Sequence, residues 1–185
     1  DQILPQIIKP AYKATILHGV TGSGKTEVYK KLIEACLKNN KSAILLLPEV
    51  TLAAQFEAIL SLAFPDKTIL GFHSASSAKQ KKQLWQKLVN HQSCLIIGVH
   101  LPILLPIANI GLIIVDEEHE VGYQEKKHPC LNSKELAIMR AHVYQIPIVL
   151  GSATPSISSL HNLKRPEWQI IKLTKRFNGA FPKIK

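Results

Sequence analysis

The sequence predicts a three-layer α/β domain built on a mostly parallel central sheet. Three observations lead there. Short apolar runs alternate with longer amphipathic ones along the chain, the rhythm of repeated strand–helix units. Ala43 to Leu47 and Leu112 to Val115 are apolar at every position, as strands covered on both faces must be. A glycine-rich turn, Gly19 to Gly24, joins the first apolar run to the first helical stretch.

The elements follow in order. Thr15 to His18 reads as the first strand and feeds the glycine turn. Lys25 to Leu37 reads as a helix, with Val28, Leu32, Ala35 and Cys36 on its inward face, and Asn39 and Asn40 stop it. Ala43 to Leu47 is the second strand. Pro48 ends it, since proline cannot donate to the ladder. Thr51 to Leu62 is the next helix, Thr68 to Phe72 the third strand, and Ala78 to Val89 a helix whose Trp85 reads as core rather than as a base-stacking platform. Cys94 to Ile97 and Leu112 to Val115 are the fourth and fifth strands. Val121 to Asn132 is polar and irregular, a surface loop. Leu136 to His142 belongs to a helix and Ile148 to Leu150 to a strand ending at Gly151, while Ile170 to Leu173 offers an edge strand. No internal repeat or Gly/Ser linker interrupts the pattern.

At 185 residues the chain suits one domain. It can bury roughly 70% of its unfolded surface without a disulfide or metal. Its apolar content of 46% excludes a disordered or collagenous chain. No apolar run approaches the roughly 18–20 residues of a membrane span, and Asp1 to Pro10 lacks a basic-then-apolar export pattern. Lys and Arg number 23 against 13 Asp and Glu, a net charge of +10. Only Arg140, Arg165 and Arg176 are arginines, and a lysine-rich surface suits phosphate attraction more than base reading. Cys36, Cys94 and Cys130 are widely spaced and odd in number, which fits neither a disulfide framework nor a Cys-x-x-Cys site. A reducing, cytoplasmic setting is the simplest expectation.

Gly19-Val-Thr21-Gly22-Ser23-Gly24-Lys25-Thr26 matches the full phosphate-loop pattern. Glycines permit the backbone angles and close approaches that side chains block. Successive N–H groups then curve around a phosphate at the positive end of the following helix. Lys25 is expected to neutralise the β- and γ-phosphates of ATP, and Thr26 to offer a hydroxyl to Mg²⁺. Asp116-Glu117-Glu118-His119 directly follows a buried strand. Adjacent carboxylates resist burial unless positive charge resolves them. A magnesium ion and Lys25 would do so, with Asp116 holding Mg²⁺ and Glu117 orienting or deprotonating the attacking water. Gly151-Ser152-Ala153-Thr154-Pro155 lies at another strand end. Its two hydroxyls suit hydrogen-bonded coupling between the nucleotide and a second surface, although Ser and Thr before proline are also ordinary turn chemistry.

In this order and on this strand pattern, the phosphate loop, the Asp-Glu-Glu-His cluster and Ser152-Ala153-Thr154 resemble motifs I, II and III of superfamily 2 helicases. The wider strings Gly19 to Tyr29, Leu47 to Gln55, Phe72-His73-Ser74, Leu150 to Pro155 and Leu173 to Arg176 are similar to those of the PriA (primosomal protein N′) family of replication-restart helicases. The resemblance implies a RecA-like P-loop NTPase lobe, the first motor lobe of a 3′-to-5′ DNA helicase acting at stalled forks and in primosome assembly. Residues 1–185 would be that single lobe, and the basic stretch 164–185 would lead toward a second. The implied partners are single-stranded and forked DNA, the second lobe and primosome proteins, with no membrane.

The resemblance also implies roles for residues. Gln2 matches a glutamine that reads adenine. Pro48, Glu49 and Thr51 match a motif that meets the single-strand backbone, with Glu49 orienting the loop. His119 couples by hydrogen bonding to Thr154 or to the neighbouring lobe. The strand carrying Gly151 is expected between the phosphate-loop strand and the Asp116 strand. There are departures. Gly98-Val99-His100-Leu101 stands where the family has Thr-Arg-Ser after the glycine. The loop from Gln124 to Leu131 keeps Tyr123 before it but offers little to stack on a base, although Lys126 and Lys127 still suit phosphate.

The remaining residues admit plainer readings. His73 either touches backbone phosphate or hydrogen-bonds locally. Lys79, Lys81, Lys82 and Lys87 form either a DNA-facing strip or a solvated helix face. Zinc is not expected, because His119, His128 and Cys130 are too few for a structural site. Arg140 is remote from the motifs, so an arginine finger would have to come from a second lobe, and this lobe alone is expected to hydrolyse ATP poorly. The alternatives are a translocase that does not unwind, and a DNA- or partner-binding module that retains a nucleotide fold.

Overall fold

The computed structural model describes residues 2–74, 76–124 and 130–174. A short helix α1 (Leu4–Ile8) leads into strand β1 (Lys13–Gly19). Helix α2 (Lys25–Lys38), β2 (Ser42–Leu46), α3 (Val50–Ala63), β3 (Ile69–Gly71), α4 (Ala78–Val89) and β4 (Leu95–Gly98) follow. The remaining elements are β5 (Ile110–Val115), α5 (Ser133–Tyr144), β6 (Pro147–Ser152), α6 (Ile157–Asn162) and β7 (Trp168–Leu173). Among the described residues the sheet has seven strands in the order β3-β4-β2-β5-β6-β1-β7, and every pairing among these strands is parallel. The expected α/β class and parallel sheet are therefore present.

Each strand divides its side chains between two cores. On β2, Ile44 and Leu46 join the layer packed by Leu84 and Leu88 of α4 and Ala137 and Ala141 of α5. Ala43 and Leu45, with Leu47 just past the strand, join the opposite layer, packed by Tyr29, Leu32, Ile33 and Cys36 of α2 and Ala53 and Leu60 of α3. This two-residue alternation with both faces apolar is why the central strands are unbroken apolar runs. Strand β6 lies between β1 and β5, as expected, and so brings the carboxyl ends of three motif-bearing strands side by side.

The structure differs from the sequence reading in several places. Helices α1 and α6 fall in stretches left without structure. Five and six residues long, they carry too little periodicity to register. Trp85 is not a core residue. Leu84 and Leu88 take the buried face of α4, and Trp85, one step around the helix, is 48% exposed. The segment after the acidic cluster is not wholly surface. Val121–Tyr123 forms a 3₁₀ turn that buries Tyr123, and a bridge between Gln124 and Asn132 closes the loop's neck. Lys126, Lys127 and the basic residues from Lys175 onward lie outside the described residues. Cys36 and Cys94 are buried and Cys130 exposed. Burial raises both buried thiols, Cys36 up to about 12, so neither is a ready nucleophile.

Candidate functional site

The phosphate loop is built where β1 stops and α2 begins. Gly22 and Gly24 have φ of 78° and 91°, left-handed angles that glycine adopts without strain. A Cβ on Gly19 would meet Ser23 Oγ at 2.3 Å, so the first glycine lets the loop close on itself. Ser23 Oγ is buried with no protein partner, a polar atom whose position suits a phosphate oxygen. Lys25 is buried at the first position of α2. Its Nζ donates to Gly19 O at 2.9 Å and sits 3.3 Å from Glu117 Oε1. Thr21, Gly22, Lys25, Thr26, Asp116 and Glu117, with Phe56 of α3, line one cleft of about 420 Å³. The phosphate-loop residues, the magnesium candidates Thr26 and Asp116, and Glu117 are thus brought together. Asp116 and Thr26 fit a magnesium site, because Mg²⁺ takes one or two protein oxygens and fills the rest with phosphate and water.

The three acids of the cluster have three different environments. Burial pushes the Asp116 carboxyl above its ordinary range. The Tyr29 hydrogen bond draws it back, the Glu117 charge adds to the rise, and Lys25 opposes it. Tyr29 Oη donates to Asp116 Oδ1 at 2.7 Å, and the Tyr123 hydroxyl lies against the carbonyl oxygens of Asp116 and Leu46. Glu117 has φ 44°, a left-handed conformation that costs a non-glycine residue about 1 kcal/mol or more. That backbone turns its side chain toward Lys25 while Glu118 turns the other way. Glu118 is buried. Its carboxylate takes Lys134 Nζ at 3.1 Å, the Ser156 N–H at 2.6 Å, and the Ser156 and Ser159 hydroxyls at 2.9 Å each. Burial alone would raise it, but the Ser156 N–H and Lys134 outweigh burial and hold it below the ordinary carboxylate range.

His119 Nδ1 pairs with Ser152 Oγ at 2.8 Å, and Ser152 Oγ accepts from the Thr154 N–H at 3.0 Å. The histidine therefore meets Ser152, with Thr154 one bond further along. Tyr29, Tyr123 and Glu118 are site residues that sequence reasoning missed. Glu118 was visible only as a third acid, and no local signal announced that Lys134, Ser156 and Ser159 would surround it.

The residues matched to DNA contact gather elsewhere along the strand ends. Pro48, Glu49, His73 and His100 line a second cavity, of about 460 Å³. Thr51 is exposed on the first turn of α3. Glu49 caps that helix by backbone alone. His73 is buried, with Nε2 3.5 Å from Glu57 Oε2, so in this conformation its neighbour is a carboxylate. His100 Nδ1 lies 3.0 Å from Ser133 Oγ. Gln2 is exposed beside a cavity of about 420 Å³ lined by Leu17 of β1 and by Val28, Lys31 and Leu32 of α2, and it is not among the residues that line the phosphate cleft. Arg140 donates to the Ile103 carbonyl and stands 5.3 Å from the Tyr144 ring centre, and is not among the cleft-lining residues. Among the described residues no cluster of three or more His, Cys, Asp or Glu is poised for a metal, and no helix is long and apolar enough to cross a membrane.

Comparison with known proteins bears on this geometry. The model of the DEAD/DEAH box helicase family matches residues 1–163. The chain belongs to the DEAD/DEAH box helicase family. Among relatives of this helicase domain, the replication restart protein PriA of Helicobacter pylori (strain J99) is 41% identical over 153 residues, 83% of this chain and 25% of that protein. PriA of Bacillus subtilis (strain 168) is 38% identical over 167 residues, 90% of this chain and 21% of that protein. The chain thus spans about a quarter of the length of such relatives. Solved structures share the fold. RecG bound to a three-way DNA junction superposes with a TM-score of 0.64 at 21% identity, over 93% of this chain and 22% of that one. A DEAD box protein from Methanococcus jannaschii gives 0.64 at 20% identity, over 93% and 48%.

Proposed function

We propose that this helicase-family domain is the ATP-binding first motor lobe of a PriA-like replication-restart helicase, working on single-stranded and forked DNA with a second lobe of the same protein. The observation that carries the reading is the convergence of Lys25, Asp116 and Glu117 on one phosphate-loop cleft. The identity with PriA proteins over most of this chain supports the replication-restart setting.

ATP would lie with its phosphates on the loop from Gly19 to Thr26, and Gln2 would read the adenine from the far side of α2. Lys25 now shares its ammonium between Glu117 and the Gly19 carbonyl. An entering γ-phosphate would compete with Glu117 for it, freeing that carboxylate to orient a water for in-line attack and accept its proton. Thr26 and Asp116 would hold Mg²⁺, which neutralises charge on the phosphate oxygens. Among the described residues no arginine lines the cleft, so the charge developing on the γ-phosphate in the transition state would draw further cation from the second lobe. His119, Ser152 and Thr154 form one hydrogen-bonded chain beside the cleft, suited to carrying the state of the nucleotide to that lobe. Pro48, Thr51 and His73, and Lys126 and Lys127 of the loop, would face the strand backbone.

The test is ATP hydrolysis and strand displacement by the full-length protein. Lys25→Ala and Glu117→Gln should each abolish DNA-stimulated hydrolysis, and unimpaired turnover in either overturns the assignment. Turnover with translocation but no released strand would mark a non-unwinding translocase. Fork binding with no magnesium-dependent ATP loss in the parent protein would mark a binding module.

A further inference from the structure

Tyr29 lies one helical turn beyond Lys25 on α2, the helix that follows β1. Asp116 directly follows β5, two strands from β1, and β6 runs between them. To reach Asp116 the phenol must cross β6, and it does so at Gly151. A Cβ there would stand 1.7 Å from Tyr29 Oη and 3.0 Å from Asp116 Oδ1. Any side chain at residue 151 would therefore occupy the hydroxyl's place. Tyr29 is 1% exposed and packs in the core beneath α2, where phenylalanine would fill nearly the same volume. What tyrosine adds is one buried O–H, which is unfavourable in a core unless it is satisfied. Its partner is Asp116 Oδ1 at 2.7 Å.

We propose that Tyr29 is a positioning residue for the magnesium-binding carboxylate: through the gap left by Gly151 its hydroxyl fixes Asp116 Oδ1, leaving Oδ2 for the cation. The inference rests on the magnesium–nucleotide reading above and adds a residue to it. It also gives the glycine before Ser152-Ala153-Thr154 a physical reason, distinct from backbone freedom, since Gly151 has no positive φ. Asp116 is then held at both ends, with Tyr123 against its carbonyl and Tyr29 on its side chain. Hydrogen-bond partners behind a metal ligand fix its orientation, and losing one typically weakens metal affinity by about 10–100-fold.

The experiment measures the affinity of this chain for fluorescent ADP, titrating Mg²⁺ from an EDTA-treated start, for the parent, Tyr29→Phe and Gly151→Ala. Circular dichroism melts check that each variant folds. In Tyr29→Phe the Mg²⁺ concentration for half-maximal tightening should rise by about tenfold, with magnesium-free ADP affinity unchanged. Gly151→Ala, which displaces the hydroxyl while keeping it in the sequence, should shift the midpoint in the same direction. A parent chain whose ADP affinity ignores Mg²⁺ overturns the nucleotide reading itself. A parent that responds, beside a Tyr29→Phe variant with the same midpoint, overturns the role of Tyr29 alone. Equal loss with and without Mg²⁺ in Tyr29→Phe would assign the tyrosine to packing and also overturn it.

Discussion

Asp116 and Glu118 are two residues apart and feel opposite fields. Asp116 is pushed up by burial, so between the ordinary carboxylate range and its raised folded value the folded chain holds the extra proton. Its favourable, protonated contribution is lost as pH rises through that folded value. At neutral pH the charged Asp116 therefore works against the fold. Asp116→Asn should stabilise the protein by about 1 kcal/mol there, with the gain vanishing below the ordinary carboxylate range, as urea unfolding at a series of pH values would show. Glu118 has the opposite sign. Despite burial, the Ser156 N–H and Lys134 hold it low, so its contribution is present above the ordinary glutamate value and lost as pH falls through the lowered folded one. Glu118→Gln leaves Lys134 without its buried partner and should cost about 3 kcal/mol at neutral pH, less as the solution is acidified. One acid serves the site at the expense of the fold, and the other serves the fold.

At the scale of elements, α4 shows which patterns a sequence reveals and which it hides. Its start is capped by the Ser77–Gln80 box, and Ala78–Val89 is also the span read from the sequence. The inward face lies one step around the helix from Trp85. Trp85 is the largest apolar residue in the helix, yet Leu84 and Leu88, four apart, point at the sheet. Leu84→Ala should cost about 2–5 kcal/mol by opening a cavity, while Trp85→Ala should cost under about 1 kcal/mol. Paired denaturant titrations would check both. The strands were legible because burial on both faces leaves only apolar residues. Their ends were less so: β6 runs through Ser152 and β5 begins at Ile110, because ladder bonds extend a strand past its apolar run. Helices α1 and α6 were invisible, since helices this short are held by their surroundings rather than by propensity.

For the whole molecule, the lysine excess and the row of strand ends point to the same use. If the lobe grips DNA through phosphates, single-strand affinity should fall log-linearly with salt, by a slope of about −0.7 for each phosphate neutralised. Lys126→Ala and Lys127→Ala should each flatten that slope by about 0.7, measured by fluorescence anisotropy in the full-length protein. Lys79, exposed on the outer face of α4, should leave it unchanged when replaced. A slope that ignores the loop lysines would place the grip elsewhere on the basic surface.

The amino-acid sequence alone determined the phosphate loop, the acidic strand end and the parallel α/β class. Each is a contiguous string whose physics is local: glycines that bend, a lysine at a helix start, apolar runs too uniform to face water. The sequence could not show what surrounds each acid. Tyr29 and Asp116 are 87 residues apart, and Glu118 meets Ser156 across 38. Their contacts exist only because β6, late in the chain, inserts between β1 and β5. The strand order, expected only through a family resemblance, turns three neighbouring carboxylates into a tyrosine-held acid at the cleft, a lysine partner and a buried clasp.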